Sequence, residues 1–168
     1  MDSVHSTSST RLGSWAMTGI VWGMVAGIVF AMFEMIMAAI LGDGFFMPLR
    51  MIGAIILGKG ALMSSYSLAE AGLVGLIVHM MLSAMFGLVF GLVIGSVTAL
   101  RSSRAITVVT ATVFGFTLWI FNFYVITTVA FDWFKMSNQT VQFFAHTFFF
   151  GSMLGLLFAA RSQLFAES

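Results

Sequence analysis

Residues 15–41 have the sequence WAMTGIVWGMVAGIVFAMFEMIMAAIL, in which Glu34 is the only charged residue. A helix rises about 1.5 Å per residue, so this segment is longer than the roughly 30 Å hydrocarbon core of a bilayer. It is also about twice as long as the apolar part of a secretory signal peptide. The segment therefore predicts a retained membrane span near the start of the chain.

Three further segments of the same kind follow along the chain, at about 68–100, 105–131 and 139–160. Of the 168 residues, 60% are hydrophobic and 8% are charged, and the mean hydropathy is +1.07. Soluble domains carry roughly 25% charged residues, so this chain has too much apolar surface to fold in water. We therefore expect one transmembrane domain over residues 1–168, an all-α bundle of four membrane-spanning helices.

The side-chain chemistry excludes several classes of function. The net charge is +1 and the seven Lys and Arg residues are scattered, which leaves no basic stripe for nucleic acid. The sequence has no Cys, and therefore no disulfide, thiolate metal site or Cys nucleophile. It also contains no phosphate-binding glycine loop and no metalloprotease helix motif. We expect no catalytic residue and no nucleic-acid partner.

The connection between the first and second spans, residues 42–67, is longer and more apolar than the others. Its stretch MIGAIIL at 51–57 is too short to cross a bilayer and too hydrophobic to lie in water. Pro48 suits a helix start, and Gly58 suits a helix end. The sequence therefore predicts a short helix that lies in the interface or re-enters the bundle. Pro48 and Arg50 are the candidate functional residues of this loop.

Two connections, at 101–104 and about 132–138, are so short that the spans on either side should be antiparallel neighbours. Both termini then lie on one side of the membrane. Basic residues collect on the cytoplasmic side of membrane proteins, and four of the seven lie on the side of the termini. We therefore expect both termini in the cytoplasm. The four are Arg11, Arg101, Arg104 and Arg161, and the other three are Arg50, Lys59 and Lys135.

Small residues recur at every fourth position on three of the spans. This spacing gives a helix a smooth face, which lets backbones approach closely where lipid supplies no hydrophobic drive. We expect these faces to pack against other helices, within the chain or in partner proteins, in the cytoplasmic half of the membrane. The series are Gly19, Gly23 and Gly27; Ser83, Gly87, Gly91 and Gly95; and Gly151, Gly155 and Ala159.

One polar side chain on each span falls at a similar depth, roughly 10–16 Å inside the boundary opposite the termini. The four are Glu34, His79, Asn122 and His146, which we call the polar layer. An ionised acid near a span centre costs about 2.5–3.5 kcal/mol, so such residues normally face the interior and find partners. We expect Glu34 to pair with one of the histidines, in a half of the bundle that is wider than the glycine-rich half.

The polar layer permits several chemistries that the sequence alone leaves open. It can be a hydrogen-bonded plug that fixes helix register. The two histidines can ligate a b-type haem, or join Glu34 in a site for a single metal ion. Glu34 and the histidines can also form a proton or ion relay. The candidate ligands come singly from distant helices, so no local spacing selects one of these alternatives.

The two halves of the sequence resemble each other. Phe33-Glu34-Met35 in the first span matches Phe121-Asn122-Phe123 in the third, and SAMFGLVFG at 83–91 in the second matches GSMLGLLFA at 151–159 in the fourth. A histidine precedes the small-residue series in both the second and fourth spans. This pattern predicts a duplicated helical hairpin in parallel orientation, with residues 42–67 inserted into the first copy.

One stretch carries a resemblance to a known family. Glu34 late in the first span, the Pro48-Leu49-Arg50 turn, IGAIILG at 52–58 and three further spans make the chain similar to the YagU-like proteins, a family of small bacterial membrane proteins. The resemblance implies four helices in a bacterial inner membrane, and it brings no established chemistry.

Two classes of function follow from the sequence. The favoured one is a non-catalytic accessory or structural subunit, whose glycine and aromatic faces contact other membrane subunits or a second copy of the chain. The alternative is a haem-binding or metal-binding membrane protein, or an ion relay, that uses the polar layer. Small size and the lack of catalytic motifs favour the accessory role.

Overall fold

A computed structural model describes residues 3–164 of the chain, with side chains from residue 12 to residue 160. Within this part, four helices are long and apolar enough to cross a membrane, and a fifth is short. The predicted all-α membrane bundle is therefore confirmed. The helices are α1 (Ser3–Leu41), α2 (Met47–Leu57), α3 (Leu68–Ser96), α4 (Arg104–Val129) and α5 (139–164), with 3-10 turns at Lys59–Leu62, Thr98–Arg101 and Asp132–Met136.

Side-chain caps set the start of three long helices. The Ser67 hydroxyl accepts a hydrogen bond from the Glu70 N–H, as the capping-box pattern predicts. Ser103 caps α4, and the Asn138 side chain accepts two N–H groups at the start of α5. The second span ends at Ser96 rather than near residue 100, because the chain turns into a 3-10 segment there.

The four long helices pack as two antiparallel pairs. α1 lies along α3, α4 lies along α5, and α1 packs against α5 to join the pairs. Phe90 of α3 and Phe158 of α5 are buried between the pairs, with ring centroids 5.2 Å apart. α3 and α4 touch little, although their connection is short. The two helices are still antiparallel neighbours, since the Phe90 and Phe114 rings lie 5.4 Å apart, but each makes most of its contacts within its own pair.

The small residues of α1 and α3 face each other in the half of the bundle where α1 begins and α5 ends, which we call the terminal half. A Cβ atom added to Gly23 would lie 2.7 Å from the Gly87 Cα, and one added to Gly91 would lie 3.0 Å from the Gly19 Cα. A Cβ atom added to Gly95 would lie 2.8 Å from the Trp15 side chain. The two backbones are thus in direct contact, and no larger side chain fits between them.

The α4–α5 pair has the same register of contacts. Gly27 of α1 faces Ser83 of α3, and in the second pair a Cβ atom added to Gly115 would lie 2.8 Å from the Gly151 Cα. One added to Gly155 would lie 2.8 Å from the Ala111 Cβ. Gly27 lies seven residues before Glu34, and Gly115 lies seven residues before Asn122. A duplicated hairpin requires this equal spacing.

Both helices of the second pair contain a widened turn. α4 is π-helical over Phe121–Ile126 and α5 over Ala145–Ser152, and each turn holds one member of the polar layer. A π turn accommodates one extra residue. This explains why His146 lies five residues before Gly151, whereas His79 lies four before Ser83.

The inserted segment, residues 42–67, covers the opposite half of the bundle, which we call the distal half. Gly42 and Gly44 adopt φ angles of +89° and +96°, a conformation that glycine tolerates best, and they turn the chain after α1. The short helix α2 then packs across α3, where the Leu49 backbone contacts Gly75. Arg50 holds the rest of the segment by donating to the carbonyls of Ala61 (3.1 Å), Met63 (2.7 Å) and Tyr66 (2.9 Å).

Two contacts fasten this segment to the second helix pair. Lys59 forms an exposed ion pair with Asp132, at 2.7 Å between Nζ and Oδ1. The Trp133 indole N–H donates to the Met51 carbonyl at 3.0 Å. The distal end of the bundle is therefore covered by chain segments that belong to both pairs.

Candidate functional site

A cavity of about 600 Å³ occupies the distal half, between the four long helices and α2. It extends from Asp43 and Asn138, at the distal end of the bundle, inward to Ser83 and Phe150. The close glycine contacts of the terminal half begin at this depth. The bundle is thus closed in one half, where the backbones of paired helices touch, and open in the other.

All four members of the polar layer line this cavity. Glu34, His79 and His146 are buried, with 5%, 6% and 8% of their surface exposed, and Asn122 is half-buried. They come from four different helices whose residues are far apart in the sequence. The structure therefore brings together the four residues that the sequence placed at a similar depth in the membrane.

Glu34 does not form the expected pair with a histidine. The Gln142 side chain is close enough to interact with its carboxyl group. The Oε1 atom of Glu34 is buried and has no hydrogen-bond partner in the part of the chain that the structure describes. The expected pair is absent within residues 12–160 because both histidines are bonded elsewhere.

His79 is held by the backbone of α1. Its Nε2 lies 2.8 Å from the Gly27 carbonyl oxygen, and the Ser83 hydroxyl is 3.5 Å from the same nitrogen. A carbonyl can only accept, so the proton of the neutral imidazole is on Nε2. The Nδ1 atom is then left as a hydrogen-bond acceptor.

His146 uses both of its ring nitrogens. Nδ1 donates to the Gln142 carbonyl at 2.9 Å, one turn earlier in α5. Nε2 is therefore unprotonated in the neutral ring, and it accepts from the Asn122 amide nitrogen at 3.2 Å. This bond joins the two π turns of α4 and α5.

Phe30 lies against both imidazoles. Its ring centroid is 5.3 Å from that of His79 and 4.8 Å from that of His146. A haem held between the histidines would need this ring to move and both Nε2 hydrogen bonds to break. Among residues 12–160, no three His, Asp or Glu side chains come close enough to hold one metal ion. The haem and metal hypotheses gain no support from this arrangement.

The remaining lining of the cavity is largely apolar. Seven phenylalanines line it, together with aliphatic side chains from α2 and α3. Its charged lining residues, among those described, are Glu34 and Asp43, with no Lys or Arg. Sequence reasoning missed Gln142, although a glutamine one turn before His146 in an apolar helix is a usable signal.

The loop candidates have different positions. Pro48 lines the cavity, whereas Arg50 holds the inserted segment by its three hydrogen bonds. At the distal surface, the hydrogen bond from Lys59 lowers the pKa of Asp132 below its ordinary value of 3.8. The hydrogen bond with Glu70 raises the pKa of Tyr66 above 10.0. These groups form the outer side of the cover over the cavity.

No protein-family model matches the chain, and comparisons with curated proteins and with solved structures found no match. The resemblance to the YagU-like proteins gains no support from these comparisons and stays a prediction. The function has to be argued from the cavity itself.

Proposed function

We propose that the protein binds a small, mostly apolar molecule inside the membrane, in the cavity of the distal half. The observation that carries this proposal is a cavity of about 600 Å³ lined by Glu34, one of whose carboxyl oxygens is buried without a partner among the described residues. Protein interiors are normally packed to crystal density, and ligand pockets typically measure about 300–1,000 Å³. A buried polar atom left unsatisfied costs about 1–3 kcal/mol, which a bound molecule can offset.

The same geometry argues against the plug and relay hypotheses. A structural plug would fill its space and satisfy its polar groups, and the Glu34 Oε1 is not satisfied within the described residues. A relay needs a continuous polar path across the membrane. The path ends at the contact between Gly23 and Gly87, where two helix backbones meet. Binding from one side suits the cavity better than conduction through it.

An accessory role in a larger complex stays a prediction. Many large apolar side chains, such as Met17, Ile40 and Leu73, are exposed on the outer faces of the helices. Such faces suit lipid and partner subunits equally, so they do not distinguish the two. We infer a bacterial inner membrane and cytoplasmic termini from the resemblance and the basic residues. The cavity would then open toward the periplasm.

Filling the cavity tests the proposal. Ala38 lines the cavity and is 8% exposed, while its neighbour Ala39 lies on the outer face of α1. We expect native mass spectrometry of the purified wild-type protein to show a bound molecule. The Ala38→Trp variant should lose it, and the Ala39→Trp variant should keep it.

A second pair of variants guards against misfolding of the first. Ile52→Trp fills the cavity from α2, and Ile56→Trp adds the same side chain at a position that is 67% exposed. The proposal is wrong if the wild-type protein carries no bound molecule in a mild detergent, or if the cavity-filling variants retain it.

A further inference from the structure

We propose that the ligand carries an ammonium group, which docks on Glu34, and an aromatic or aliphatic body that lies among the phenylalanines. This inference rests on the proposed binding function and specifies the chemical class of the molecule. Its basis is the set of hydrogen-bonding atoms that the cavity leaves open.

Three donors of the polar layer are already used within the protein. The His79 Nε2–H goes to Gly27, the His146 Nδ1–H goes to Gln142, and one N–H of the Asn122 amide goes to His146. What remains is the second Asn122 N–H and three acceptors: the Glu34 Oε1, the His79 Nδ1 and the Asn122 side-chain oxygen. A ligand that satisfies this layer therefore has to supply hydrogen-bond donors.

The charges around the cavity select a cation among possible donors. Glu34 lies inside and Asp43 lies at the distal end, and no Lys or Arg lines the described part of the wall. The nearby cations Arg50 and Lys59 are occupied by backbone carbonyls and by Asp132. An anionic molecule would meet only like charge, whereas an ammonium group would pair with a carboxylate that is costly to leave ionised in a membrane.

The aromatic wall suits the same class of molecule. The faces of phenylalanine rings attract cations and also accept apolar groups. Phe30 packs beside both histidines, and Phe123 packs against His146 with centroids 5.6 Å apart, so rings adjoin the polar layer itself. A molecule bound at the polar layer thus finds aromatic surface beside it.

Three probes with closely similar skeletons and different charge test the inference: phenethylamine, phenethyl alcohol and phenylacetate, which are cationic, neutral and anionic at neutral pH. Their dissociation constants are measured by isothermal titration calorimetry on the detergent-solubilised wild-type, Glu34→Gln and Ala38→Trp proteins. We expect the amine to bind the wild-type protein about tenfold or more tightly than the alcohol, and the anion to bind weakest. Glu34→Gln should remove the advantage of the amine and leave the alcohol unchanged.

The outcomes separate this inference from the function on which it rests. If none of the probes binds the wild-type protein more tightly than the Ala38→Trp variant, the binding function itself is refuted. If the alcohol binds the wild-type protein as tightly as the amine does, the cavity binds ligands but the ammonium inference is wrong. The order of the three dissociation constants on the wild-type protein decides this point even where the Glu34→Gln variant fails to fold.

Discussion

Replacing Gly87 with alanine tests whether backbone contact in the terminal half stabilises the bundle. The added Cβ would touch the Gly19 carbonyl and lie 2.6 Å from the Gly23 Cα. Ordinary contacts of a Cβ atom fall between 3.4 and 4 Å. α1 and α3 must therefore separate by about 1 Å, and overpacking of this kind typically costs about 1–3 kcal/mol.

Gly72→Ala is the matched control on the same helix. A Cβ at Gly72 meets nothing within 4 Å, so this variant gains only the higher helix propensity of alanine, up to about 1 kcal/mol. Comparing the two variants removes the propensity effect, since both make the same exchange in α3. The remaining difference in unfolding free energy should be about 1–3 kcal/mol, with Gly87→Ala the less stable.

The assay is equilibrium unfolding of the detergent-solubilised protein, followed by the fluorescence of its four tryptophans. Separation of α1 from α3 should also weaken the bond from His79 to the Gly27 carbonyl, which lies on the same interface. Ligand binding in the cavity should then fall together with stability. Equal stabilities for the Gly87→Ala and Gly72→Ala proteins would refute the close backbone contact.

Two further predictions concern the cover over the cavity. The pKa of Asp132 is lowered by its bond to Lys59, so the ion pair stabilises the fold above about pH 3.8 and this contribution is lost as the pH falls through the lowered pKa. Asp132→Asn should reduce the loss of stability between neutral and acidic pH in acid titrations, and an unchanged titration would contradict this assignment. Arg50→Lys keeps the charge, but a lysine cannot span the three carbonyls to which Arg50 donates. Each lost hydrogen bond is worth about 0.5–1.5 kcal/mol. Amide hydrogen exchange at residues 61–66 should therefore rise by about tenfold or more. Exchange that stays at the wild-type rate would show that the Arg50 bonds do not hold residues 61–66 in place.

Much of the fold could be predicted from local signals. The apolar length of each span, the caps at Ser67 and Asn138, and the glycine turn after α1 all depend on neighbouring residues. The close contact between Gly23 and Gly87 also follows a local rule, since small residues permit backbones to touch. The short connection between α3 and α4 fixed their antiparallel direction, but it could not show that each helix packs mainly within its own pair.

The candidate site could be predicted only as a set of residues at one depth. Equal distance from the span ends grouped Glu34, His79, Asn122 and His146, and the structure places them around one cavity. The hydrogen-bond partners could not be inferred in this way. The partners depend on the rotation of each helix and on the π turn in α5. Both shift a side chain around the helix by a fraction of a turn, and the spacing of residues in the sequence does not show this shift.

The first span, residues 15–41, determined by itself that this chain belongs in a membrane and that one acid would be buried there. The hydrophobicity of a segment and its length as a helix are local properties, so both can be calculated from the sequence alone. Only the tertiary structure decided that Glu34 lines a cavity together with Gln142 and does not pair with a histidine. That outcome depends on how two helix pairs meet, and the close approach of the glycines in one half leaves the space open in the other.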